Sequence, residues 1–126
     1  MSEVLELPVH SIAHSRAGDK GNVSNVSLIT YNKNGWENIK VNATESKVLE
    51  IFKHLGATNV TRYELPNLMA LNFVIENALG GGVNSSLRLD RHGKTLSSYL
   101  LYHLKLKVSS DMLPDNSPYR IKFKKG

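Results

Sequence analysis

The chain has no cysteine among its 126 residues. That absence excludes a disulfide framework, a thiolate nucleophile and every cysteine-based zinc or iron–sulfur site. Long apolar runs are missing too, since no window approaches the roughly 18 consecutive apolar residues of a membrane helix. The start, Met1-Ser2-Glu3-Val4, has neither the basic nor the apolar region of a secretory leader. The expected compartment is a bacterial-type cytoplasm, with no membrane contact. The N-x-[ST] matches at Asn22, Asn25, Asn42, Asn59 and Asn84 then count as chance, because they matter only in a secreted protein. With 40% hydrophobic and 21% charged residues, the composition lacks the signature of disorder. A chain this long has room for one compact core.

Acidic charge is scarce at one end. The net charge is +5, and most of it lies between residues 105 and 126. There Lys105, Lys107, Arg120, Lys122, Lys124 and Lys125 face only Asp111 and Asp115, leaving a nearly neutral body. A basic tail of this kind reads as a solvated or oligomer-docking segment, and aromatics do not interleave with it as a nucleic-acid stacking platform requires. No nucleic-acid partner is expected.

Periodicity sketches the elements. Residues 7–13 suit an edge or first strand beginning at Pro8. Residues 14–22 carry Gly18 and Gly21 among polar side chains and read as a loop. Val23, Val26, Leu28 and Ile29 open a β-branched strand to Tyr31, which Asn32-Lys33-Asn34-Gly35 closes as a turn. Thr44 reads as the N-cap of a helix whose apolar stripe is Val48, Leu49, Ile51, Phe52 and Leu55, stopped by Gly56. Val60–Leu65 alternates as a half-buried strand ending at Pro66. Residues 67–79 fit both periods, and their length and the glycines that follow favour a helix. Ser85–Asp90 and Leu100–Val108 read as the arms of a hairpin. Beyond Val108 a loose tail is expected, with Tyr119–Phe123 able to add an edge strand. The sum is an α+β, ferredoxin-like two-layer sandwich: a mainly antiparallel sheet with about two helices on one face, over residues 1–108, followed by a basic tail over 109–126.

Two glycine-rich segments carry the candidate chemistry. In the first, Gly18 and Gly21 free the backbone to present N–H groups, Arg16 and Lys20 can clamp an anion, and Asp19 can move a proton, with Asn22 completing the set. The bland reading is a tight turn held by an Asx-type bond from Asp19. The order is neither a Walker loop nor a dinucleotide fingerprint. In the second, Gly80, Gly81 and Gly82 precede Asn84 and Ser85. Ordered glycines cost roughly 0.5–1 kcal/mol each relative to alanine, so their presence implies close backbone approach to a ligand anion or to a neighbouring strand. The two segments are expected to meet as the main polar pocket. His10 and His14 lack the spacing and partner of a metal pair, so no metal or cofactor is expected. His92 in a turn and His103 on a strand read as surface or packing residues. No Gly-x-Ser-x-Gly elbow supplies a serine nucleophile.

Three blocks, residues 13–22, 63–73 and 78–90, together resemble the AtuA-like ferredoxin-fold domain, the C-terminal domain of acyclic terpene utilisation proteins. The resemblance runs from Leu7 to about residue 107. Relatives show the order Ala-Arg-Ser-Gly-Asp-Lys-Gly, whereas this chain reads Ala13-His14-Ser15-Arg16-Ala17-Gly18-Asp19-Lys20-Gly21, keeping the Gly-Asp-Lys-Gly core. The resemblance implies a ferredoxin-like domain that normally follows a large N-terminal domain, in proteins linked to terpene catabolism through acyl-CoA intermediates. It carries over no catalytic residue. With Met1 just before the first block, the expectation is a stand-alone version: an accessory or ligand-binding subunit partnering a separate AtuA-type large protein, or a homo-oligomer, binding an anionic small molecule or acyl-CoA. The alternative is a small enzyme on an acyl-CoA or carboxylate, with Asp19 as its acid/base. Acid–base catalysis normally needs two placed groups, and the glycine segments hold one carboxylate. An RNA-binding ferredoxin-like domain fails on the missing aromatic strands.

Overall fold

The computed structural model describes residues 4–20, 23–77 and 94–123, with backbone alone at Asp19, Lys20, Lys94 and Thr95. Four antiparallel strands form the main sheet in the order β2-β3-β5-β4: β2 is Ala13–Lys20, β3 Val23–Thr30, β4 Asn59–Leu65 and β5 Ala70–Glu76. A separate antiparallel ribbon pairs β1 (Val4–Pro8) with β6 (Lys105–Ser109), Val4 opposite Ser109 and Pro8 opposite Lys105. Helices α1 (Lys33–Asn42) and α2 (Glu45–Phe52) cross from β3 to β4, and β5 lies between those two parallel strands. This is a split β-α-β arrangement, which gives the α+β, ferredoxin-like character. The outer place beside β3 is filled by β2, from earlier in the chain. The third helix, α3 (Lys94–His103), leads into β6. Among the described residues no helix is long and apolar enough to cross a membrane.

The core lies between one sheet face and the helices. Val26, Leu28, Leu71, Phe73 and Ile75 are completely buried on that face, against Ile39 of α1, Val48 and Phe52 of α2, and Leu96 and Leu100 of α3. Sequence signals and structure agree where one period dominates. β3, β4 and α2 form as read, with Thr44 Oγ1 accepting the Lys47 N–H at 3.2 Å and Gly56 closing the segment at φ 99°.

Elsewhere packing overrides the local reading. The supposed loop over 14–22 is strand through Lys20, because each residue from Ala13 to Lys20 has a ladder partner on β3. Its inward positions are the small Ala13, Ser15 and Ala17, and α3 packs over them. The strand expected over 7–13 does not form as one element: β1 ends at Pro8 and a 3-10 turn over Val9–Ser11 follows. Asn32–Gly35 is the start of α1 instead of a closing turn: Asn32 Oδ1 accepts the Gly35 N–H at 2.9 Å as an N-cap. The expected helix over 67–79 is the central strand β5, since ladders on both sides satisfy its backbone and the period-2 set Leu71, Phe73 and Ile75 is fully buried. Of the expected hairpin, the 85–90 arm lies outside the described residues. The other arm is divided, Leu100 to His103 closing α3 and Lys105 to Ser109 forming β6. His103 is therefore helical, stacked on Tyr99 at 3.9 Å. Residues 118–123 coil as a 3-10 helix and add no edge strand. The segment before them is not loose, because Leu113 is 2% exposed within the core.

Candidate functional site

The helix-free face of the main sheet is open. Its side chains form rows across the four strands: Arg16, Ser27, Asn72 and Tyr63 in one, and Gly18, Asn25, Val74 and Thr61 in the next. Arg16 is exposed, and no carboxylate among the described residues pairs with it. Its backbone is held in the ladder and by Ser27, whose hydroxyl accepts the Arg16 N–H at 3.2 Å and donates to the Arg16 carbonyl at 3.3 Å. A fixed strand thus carries a free guanidinium, which suits recognition of a carboxylate or phosphate.

Gly18 does something other than the expectation. It has ordinary strand geometry, and a Cβ built there would meet only the Asn25 amide group, at 3.7 and 3.8 Å. It therefore keeps the open face low between Arg16 and the row end without presenting its backbone in a left-handed turn. Asp19 is the ladder partner of Ser24, and Lys20 that of Val23. Ser24 is fully buried, and among the described residues its hydroxyl has no hydrogen-bond partner.

The last row places the sheet's end. Lys20, Val23, Glu76 and Asn59 follow one another across it. Beyond Glu76, Asn77 takes a left-handed φ of 64° and donates from Nδ2 to Thr58 Oγ1 at 2.8 Å. Asparagine tolerates that conformation, so the chain turns off the sheet there. The hairpin after Lys20 and the segment after Asn77 consequently leave from the same end of the sheet. Gly21 and Asn22 of the first, and Gly80, Gly81, Gly82, Asn84 and Ser85 of the second, lie outside the described residues.

Sequence reasoning missed Ser27, Asn72 and Tyr63 as companions of Arg16. Their signal was the polar phase of three strands, legible only after β5 is recognised as a strand. Among the described residues no group of three or more His, Asp or Glu can hold a metal ion. A model of the AtuA ferredoxin-like domain matches residues 7–106, from within β1 into β6. No curated protein and no solved structure matches the chain.

Proposed function

The chain belongs to the AtuA ferredoxin-like domain family, and on that premise we propose that it is an accessory, ligand-binding subunit that holds an anionic small molecule, such as an acyl-CoA or a carboxylate, at the end of its main sheet. One observation carries this reading: Lys20, Val23 and Glu76 share a row, so both glycine-rich segments depart from one edge of the molecule. Arg16, two residues before Gly18 on the same face, supplies an exposed cation on the approach. The binding groups in this reading are Arg16, Gly18, Asp19, Lys20, Gly21 and Asn22 from the first segment, and Gly80, Gly81, Gly82, Asn84 and Ser85 from the second.

The partner in this proposal is a separate AtuA-type large protein or a second copy of the chain. Support comes from the open sheet face, where Tyr63 is 52% and Leu65 40% exposed beside half-buried Ile29 and Val74. An antiparallel sheet with one covered face leaves such a surface for association.

The test measures binding and stability side by side, with a panel of acyl-CoA and carboxylate ligands. Lys20→Ala is expected to weaken binding by about 1–3 kcal/mol with the melting temperature nearly unchanged. Asn84→Ala is expected to weaken the same ligand. Loss of stability without any ligand effect in both variants overturns the reading and makes the segments structural. Turnover of an acyl-CoA that disappears in Asp19→Asn would support the enzymatic alternative instead.

A further inference from the structure

A second concave site lies at the opposite end of the main sheet. β2 carries its 8 residues from Ala13 to Lys20, which is roughly 25 Å of strand, so this site is separate from the glycine-rich end and does not rest on the reading given for it. It is a cleft of about 350 Å³ bounded by the 3-10 turn at His10, by Tyr31 after β3, and by the C-terminal segment through Pro114, Asn116 and Tyr119. That volume is at the small end of ligand pockets.

Residues distant in sequence converge there. The His10 ring stacks on Tyr102 at 4.7 Å and 25°, and meets Tyr119 edge-on at 5.8 Å. Its Nδ1 is hydrogen-bonded to Tyr119 Oη at 3.0 Å. Tyr31, which also lines the cleft, leans on His14 at 5.5 Å and stays 44% exposed. Two aromatic groups therefore line it, His10 braced by Tyr102 and Tyr31 by His14. Among the described residues no Asp, Glu, Lys or Arg lines the space. Arg120, the nearest cation in sequence, is turned to the Leu113 and Pro114 carbonyls at 3.1 and 2.9 Å.

We propose that this cleft binds an uncharged planar aromatic or heteroaromatic ring bearing a hydrogen-bonding group, held between Tyr31 and Tyr119. Aromatic rings set among neutral Ser11, Asn116 and Ser117, with no charge among the described lining residues, favour a flat neutral guest, because rings stack in offset or edge geometry and a charged guest would lose hydration without gaining an ion-pair partner. Burial, with the neighbouring Tyr102 adding to it, raises the Tyr119 pKa above its ordinary value of 10.0. The His10 Nδ1–Tyr119 Oη bond occupies one ring nitrogen, which leaves Nε2 as the ring atom able to meet a polar group of the guest.

Three probes of similar size separate the requirements: nicotinamide, its carboxylate analogue nicotinate, and cyclohexanecarboxamide, which keeps the amide and lacks the flat ring. The full chain is titrated with each while the His10 ring resonances are followed by NMR, assigned through His10→Gln. Nicotinamide is expected to shift them in a saturable way, and the other two to bind about tenfold more weakly or not at all. Tyr31→Ala, which removes a half-exposed ring outside the core, is expected to weaken nicotinamide by about tenfold with an unchanged melting temperature. Equal responses to nicotinamide and cyclohexanecarboxamide, no saturable response to nicotinamide, or full binding in Tyr31→Ala would each overturn the proposal.

Discussion

Arg62 joins three elements from an edge strand. Its Nη1 donates to the Lys40 and Ala43 carbonyls at 2.9 and 3.1 Å, closing the C-terminal end of α1, while its Nη2 meets Glu64 at 2.8 Å. The Glu45 carboxylate in turn accepts the Arg62 backbone N–H at 2.8 Å. An inward charge and an occupied N–H both blunt the edge of β4 against foreign strands. Arg62→Met keeps most of the aliphatic stem and orphans the carbonyls of Lys40 in α1 and of Ala43, its C-cap. It is expected to cost about 1–3 kcal/mol in a urea titration. Tyr119 gives a prediction with pH. Its raised pKa means that the folded state favours the neutral phenol, so this stabilisation is fully present below pH 10 and is lost as pH rises through the folded-state value. Tyr119→Phe cannot ionise there, so the stability gap between wild type and variant is expected to narrow or reverse above about pH 10. An unchanged gap up to pH 11, roughly one unit higher, would remove the burial argument.

At the level of elements, the legibility of the sequence followed the strength of a single period. α2 was readable because Thr44, the apolar stripe and Gly56 agree. β2 was not, because its inward residues Ala13, Ser15 and Ala17 are small, and their burial comes from α3, some eighty positions later in the chain. β5 was misread because its open-face positions Ala70, Asn72 and Val74 include two apolar residues, which blurs the alternation and lets the helical period fit as well. The α1 start was hidden because Asn32 and Gly35 serve a helix cap as well as a turn. The family was legible from three blocks, and the region of the candidate site from Arg16 and Gly18, although Gly18 turned out to be a strand residue. That gives a test. Gly18→Ala places a methyl at ordinary contact distance from Asn25 on unstrained backbone, so it is expected to raise stability by up to about 0.5–1 kcal/mol. A clear loss of stability would show that the strand is tighter there than its neighbours indicate.

For the whole molecule, the segment after β6 belongs to the fold. Asn32 and Asn34 donate to the Asp111 carbonyl at 3.3 and 3.4 Å, and Leu113 fills the core beside them. Ending the chain after Ser109 removes that leucine, and the loss of its burial alone, about 1.5–3 kcal/mol, is expected to lower the melting temperature by about 6–12 °C. Calorimetry of the shortened chain checks this, and an unchanged transition would return the segment to the status of a tail. The proposal that the open sheet face meets a second copy predicts that Tyr63→Glu shifts sedimentation towards monomer at protein concentrations on the order of tens of micromolar.

The ribbon of β1 and β6 sets an order in time. Val4 cannot find Ser109 until 105 further residues have been made, which at roughly 5–20 residues per second takes about 5–20 s on a ribosome. The strands from Ala13 to Glu76 emerge well before that and can pair among themselves. A nascent chain therefore carries β1 as an unmatched strand of Val, Leu, Glu, Leu and Pro, and the proline that ends it limits how far a stray partner could zip along it during the wait.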